Sequence, residues 1–147
     1  MDAYASVKHA ISQRNFSPIY FLMGDEPFFI DEISNLLTNT VLPEEQRDFN
    51  QTLLYGKDTS VEEIVSVCKR FPMMAEHQLV VVREAHELSP TIEQLTAYAE
   101  QPQSTTVLVI CYKNKKLDKR KKLSKAIQKN GTIVETKKLY DNKLPAW

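Results

Sequence analysis

The 147-residue chain has only two cysteines, three glycines and one tryptophan, its formal net charge is zero, and no apolar run approaches the roughly 20 residues that span a bilayer. Cys68 and Cys111 stand far apart, and neither has a Cys or His neighbour at metal-ligand spacing. Both are expected to be reduced core residues. His9, His77 and His86 are scattered, so no nucleophile–base arrangement follows from spacing. A balanced charge argues against a dedicated nucleic-acid or membrane-surface protein. The opening Met1-Asp2-Ala3-Tyr4 has no basic stretch leading into an apolar one. No repeat or low-complexity linker occurs. The expectation is a soluble cytoplasmic protein with no membrane partner, metal or cofactor.

A content of 42% hydrophobic and 26% charged residues fits one globular domain with a single core. The charge is unevenly placed. Residues 1–112 carry 7 basic against 16 acidic side chains, while residues 113–147 carry 12 against 3. Short apolar runs alternate with helical patterns, which predicts an α/β fold: five mostly parallel strands with flanking helices. Predicted strands are Pro18–Met23, Asp48–Tyr55, Gln78–Val82, Thr105–Cys111 and Thr132–Thr136. Predicted helices run over Ala3–Gln13, through Phe29, Ile33, Leu36 and Leu37, from a Thr59 or Ser60 cap through Val61, Ile64, Val65, Cys68 and Phe71, from Ser89-Pro90, and over Leu117–Lys129, which Asn130-Gly131 stops.

A strand ending in Met23-Gly24 before a turn and a helix is the layout of a phosphate-binding loop, whose motif needs Gly, four residues, Gly, Lys and Ser or Thr. That register here reads Gly24-Asp25-Glu26-Pro27-Phe28-Phe29-Ile30-Asp31. Phe29 replaces the glycine that lets backbone approach phosphate, Ile30 the lysine, and Asp31 the hydroxyl that would hold magnesium. Asp25 and Glu26 add negative charge. The acidic pair expected after the central apolar run Leu79–Val82 reads Arg83-Glu84, so a cation takes the first position. Two nucleotide motifs of one fold are degenerate, and no intrinsic catalysis is expected.

Three segments carry a family resemblance: Ile19–Phe29, Gln78–Glu84, and Lys116-Leu-Asp-Lys-Arg-Lys-Lys-Leu123. In order and spacing over residues 16–140, the chain resembles the N-terminal domain of the delta subunit of bacterial DNA polymerase III, a subunit of the clamp loader. The resemblance implies an AAA+-like P-loop fold that has lost its ATPase, spanning residues 1–140. Residues 141–147, which lack periodicity, would then begin a helical lid domain. It also implies partners: the sliding clamp (beta), the gamma/tau and delta prime loader subunits, and primed DNA through the complex. The implied role is to bind the clamp and help open it within the DNA polymerase III holoenzyme, a nucleotidyltransferase complex.

In this family the clamp contact comes from apolar residues at the end of the helix before the central strand, which here are Phe71, Pro72, Met73 and Met74. Where relatives often carry a Pro-aromatic pair, this chain has Pro72-Met73-Met74. Such side chains fit two readings, folding under the end of the sheet or forming a mouldable docking tip; Pro72, the two consecutive methionines and the resemblance together favour the tip for Met73 and Met74, with Phe71 expected half in the core. The basic run Lys113, Lys115, Lys116, Lys119, Arg120, Lys121 and Lys122 fits contact with DNA phosphates, or a solvated or acid-paired face. It has no aromatic residue for base stacking, which favours the second. A divergent P-loop-type nucleotide-binding enzyme and a DNA-binding module using residues 113–122 stay open as alternatives.

Overall fold

Runs of β-branched and apolar residues bury both faces of a strand, and here they assemble one sheet whose pairings are all parallel. The computed structural model describes residues 3–136. The elements are α1 (Ala3–Ser12), β1 (Ile19–Gly24), α2 (Pro27–Thr40), α3 (Arg47–Asn50), β2 (Gln51–Tyr55), α4 (Val61–Cys68), β3 (Gln78–Arg83), α5 (Thr96–Glu100), β4 (Thr106–Lys113), α6 (Lys122–Asn130) and β5 (Thr132–Thr136). The strand order is β2-β3-β4-β1-β5, with Ile19 opposite Leu108, Leu79 opposite Val107 and Gln51 opposite Leu79. Parallel neighbours require crossover connections, and helices on both faces supply them. The expected fold class is therefore the observed one.

Alternation along each strand divides the core. Phe21, Val80, Val82, Leu108 and Ile110 pack with Ile64 and Cys68 of α4 and Leu123 and Ile127 of α6. Tyr20, Leu22, Leu79, Val81, Val107 and Val109 pack on the opposite face with Val7 and Ile11 of α1 and Ile30, Ile33 and Leu37 of α2. Cys68 and Cys111 are buried free thiols, as expected. Burial drives the Cys68 thiol up to about 12, against weak opposition from a Tyr98 hydrogen bond. Ser60 caps α4 by accepting the Glu63 N–H at 3.1 Å.

Four local expectations need correction. The second strand begins at Gln51 rather than Asp48, because residues 47–50 form a helical turn closed by the Asn50 side chain donating to Gln46 O. No regular helix starts at Ser89-Pro90. A left-handed Glu84 (φ 54°) instead launches two 3₁₀ turns, Ala85–Leu88 and Ile92–Leu95, ahead of α5. The last helix begins at Lys122, not Leu117, since Asp118 accepts both the Arg120 N–H and its guanidinium and holds a non-helical turn. Phe71 is not part of the α4 stripe: the helix stops at Cys68 and Phe71 is 81% exposed. Residues 141–147 lie outside the described residues.

Candidate functional site

Parallel strands place all their C-terminal ends on one side, so the Gly24 turn and Arg83-Glu84 share one end of the sheet, and the segment before β3 lies at the other, about 20 Å away for six residues of strand. These two ends hold the two sets of residues singled out by the sequence.

At the C-terminal end, the turn from β1 to α2 is closed, chiefly by bonds to Lys115 and Thr136. Gly24 N–H donates to Lys115 O (3.2 Å), Asp25 N–H to Thr136 O (3.1 Å), Glu26 N–H to Thr136 Oγ1 (3.2 Å) and Phe28 N–H to Glu26 Oε1 (3.3 Å), while Pro27 has no N–H. A phosphate-binding loop works by aiming such amides at the ligand; here each is already bonded. Gly24 adopts φ 122°, and a Cβ there would lie 2.2 Å from Thr136 O, so β5 lies directly against the turn. Thr136 was not anticipated. It is 112 residues from Gly24 in the chain, and no local pattern marks it.

The replaced motif positions fall where their chemistry dictates. Phe29 packs edge-on against Tyr4 at 4.7 Å, and Ile30 is fully buried among the α2 core residues. Asp31 accepts an ion pair from Lys113 at 2.8 Å. Asp31, Lys113, Arg83 and Glu84 line a common cleft of about 370 Å³ with Tyr55 and Cys111. The structure thus brings the two degenerate motifs together, and the cation nearest Asp31 is engaged by it.

At the N-terminal end, residues 69–77 connect α4 to β3. Phe71 is 81%, Met73 59% and Met74 93% exposed, with Pro72 half-buried between them. The backbone beneath them is held firmly. Gln78, 5% exposed, brings Nε2 to 2.7 Å from Arg70 O and 3.0 Å from Val67 O, so β3 caps the carbonyl end of α4. Gln103 Nε2 also donates to Arg70 O at 2.6 Å, and Thr106 Oγ1 to Cys68 O at 2.6 Å. Asn50 accepts the Met73 N–H at 2.6 Å and donates to Met73 O at 2.9 Å. Met74 follows with φ 55°, a left-handed turn that throws its side chain outward. Phe49, beside Asn50, is a further exposed aromatic. Sequence reasoning missed Asn50, Gln78 and Phe49, since the strand patterns Asp48–Tyr55 and Gln78–Val82 had absorbed all three.

The basic run is largely satisfied within the domain. Lys113 pairs with Asp31, Lys116 and Lys119 with Glu135 at 2.9 and 4.0 Å, and Arg120 with Asp118 at 3.1 Å. Hydrogen bonding to Arg120 holds the Asp118 carboxyl down at about 2. Lys115, Lys121 and Lys122 are exposed. With α6 starting at Lys122, the seven cations span a loop and do not form one helical face. His77 stacks edge-on with Phe16 at 5.8 Å, His86 lies 3.8 Å from Glu87, and His9 is exposed. Among the described residues, no group of His, Cys, Asp and Glu has metal-binding geometry, and no helix is long and apolar enough to cross a membrane.

Residues 20–137 match the family model described as DNA polymerase III, delta subunit. The chain is similar to the DNA polymerase III subunit delta of Bacillus subtilis strain 168, with 29% identity over 131 residues, covering 83% of this chain and 38% of that protein. Its fold is similar to the solved Bacillus subtilis DNA clamp loader delta protein, with a TM-score of 0.79 and 25% identity over 92% of this chain and 43% of the other. A DNA polymerase III gamma-subunit-related protein from Thermotoga maritima shares the fold at a TM-score of 0.56 and 16% identity, over 95% of this chain and 47% of the other. The chain therefore spans well under half the length of the delta proteins it matches.

Proposed function

Because the chain belongs to the DNA polymerase III delta-subunit family, we propose that it is the AAA+-like N-terminal portion of a clamp-loader delta subunit, which binds the sliding clamp and helps open it for loading onto primed DNA. The observation that carries this reading is the tip Phe71-Pro72-Met73-Met74. Three large apolar side chains face solvent there on a backbone hydrogen-bonded to two core elements. Solvent-exposed methionines on a fixed support cost apolar exposure, and a partner with an apolar pocket removes that cost. Met is also well suited to filling an irregular pocket.

Opening a ring requires tighter contact with the open form than with the closed one, so the tip would act as a wedge that selects the open interface. The closed turn at Gly24 and the Asp31–Lys113 ion pair support a subunit that leaves ATP to its gamma/tau and delta prime neighbours. The internal pairing of the basic run supports contact with acidic surfaces of the protein itself more than a dedicated DNA site. In this reading the domain acts in the cytoplasm within the DNA polymerase III holoenzyme, and DNA is met through the assembled complex.

The test is clamp affinity, measured by surface-immobilised cognate clamp against wild-type protein and the Met73→Asp, Met74→Asp double variant. Burying two methionines contributes about 3–5 kcal/mol, so affinity should fall about 100-fold or more. Both positions are exposed, and the thermal midpoint should stay close to wild type. Wild-type affinity in the double variant would refute the docking role.

A further inference from the structure

We propose that Asn50 is the positioning residue of the tip: its carboxamide fixes the Met73 backbone so that Met73 and Met74 reach the clamp already ordered. This rests on the clamp-docking reading above. Asn50 is 3% exposed, and its carboxamide bonds two segments. Nδ2 donates to Gln46 O (3.1 Å) and to Met73 O (2.9 Å), and Oδ1 accepts from Met73 N–H (2.6 Å).

Both backbone groups of one loop residue are thus read by one side chain, as a neighbouring strand would read them. Apart from the Met73 backbone, the carboxamide serves only the α3 turn, through Gln46 O. Gln78 and Gln103 already cap the end of α4 through Arg70 O. Beyond Pro72 the chain enters Met73 and then the left-handed Met74, and the Asn50 clasp lies at that step. A loop free to move would lose conformational entropy when two long methionine side chains docked, and ordering it beforehand removes part of that loss.

The experiment uses Asn50→Ala, Met74→Ala and the double variant, at a temperature where all are folded, with clamp affinity and amide hydrogen exchange as readouts. Asn50→Ala should raise exchange at the Met73 amide while leaving Val80–Val82 protected, and should weaken clamp binding about tenfold, the equivalent of one to two net hydrogen bonds. If Asn50 acts through the methionines, its effect should shrink in the Met74→Ala background, a non-additivity that general destabilisation would not produce. Wild-type affinity in Asn50→Ala, unchanged Met73 exchange, or strictly additive losses would overturn the inference while leaving the docking reading intact. Failure of the wild-type protein to bind the clamp would overturn both.

Discussion

Replacing Gln78 tests how the end of α4, and with it the tip, is held. Gln78→Ala removes an Nε2 that approaches Arg70 O, Val67 O and Thr106 Oγ1 within 3.0 Å in a site 5% exposed. The carbonyls would not be orphaned. Arg70 O keeps Gln103 Nε2, Cys68 O keeps Thr106 Oγ1, and Val67 O keeps the Arg70 N–H at 3.1 Å. The full penalty of a buried unsatisfied group therefore does not apply, and two net hydrogen bonds of about 1 kcal/mol each are lost with some packing, roughly 2–3 kcal/mol in all. In urea denaturation the midpoint should fall by about 1–2 M with an unchanged slope. Gln78→Glu has nearly the same shape but turns a carboxylate on the same carbonyls, and it should cost more than the alanine variant at neutral pH. A loss under about 0.5 kcal/mol for Gln78→Ala, or a Gln78→Glu variant no worse than it, would refute the capping role.

Gly24→Ala places a Cβ 2.2 Å from Thr136 O in a backbone of φ 122°, so it should lower stability by about 2 kcal/mol or more, read by calorimetry. Cys68 and Cys111 should resist thiol reagents at pH 8 until urea unfolds the chain, because both are buried and burial raises both thiols. Above pH 9.0 the unfolded Cys68 ionises while the folded thiol, at about 12, keeps its proton. Stability measured by urea titration should therefore fall as pH climbs through that window and be insensitive to this group below it.

Phe71, Met73 and Met74 lie at one end of the sheet, and the Gly24 turn with Arg83-Glu84 at the other. In the proposed role, that plan separates the clamp contact from the turn where a phosphate loop would sit.

Much of the fold is legible in the sequence because it is written in short-range patterns. Continuous apolar runs such as Leu79–Val82 and Val107–Cys111 specify strands buried on both faces, and the parallel sheet follows from their alternation with helices. The departure from the phosphate-loop motif is equally local, since Phe29, Ile30 and Asp31 stand in the motif's own register. Where prediction failed, at Asp48, Ser89 and Leu117, a side chain or a left-handed residue closed a turn that periodicity does not record. The tertiary structure alone decided that Phe71 stands out in solvent and that Thr136 seals the Gly24 turn. It alone decided that Asn50 bonds the Met73 backbone and that Gln78 bonds the end of α4. Each of these depends on a hydrogen bond or exposure set by residues 8 to 112 positions apart, and composition and period carry no information at that range.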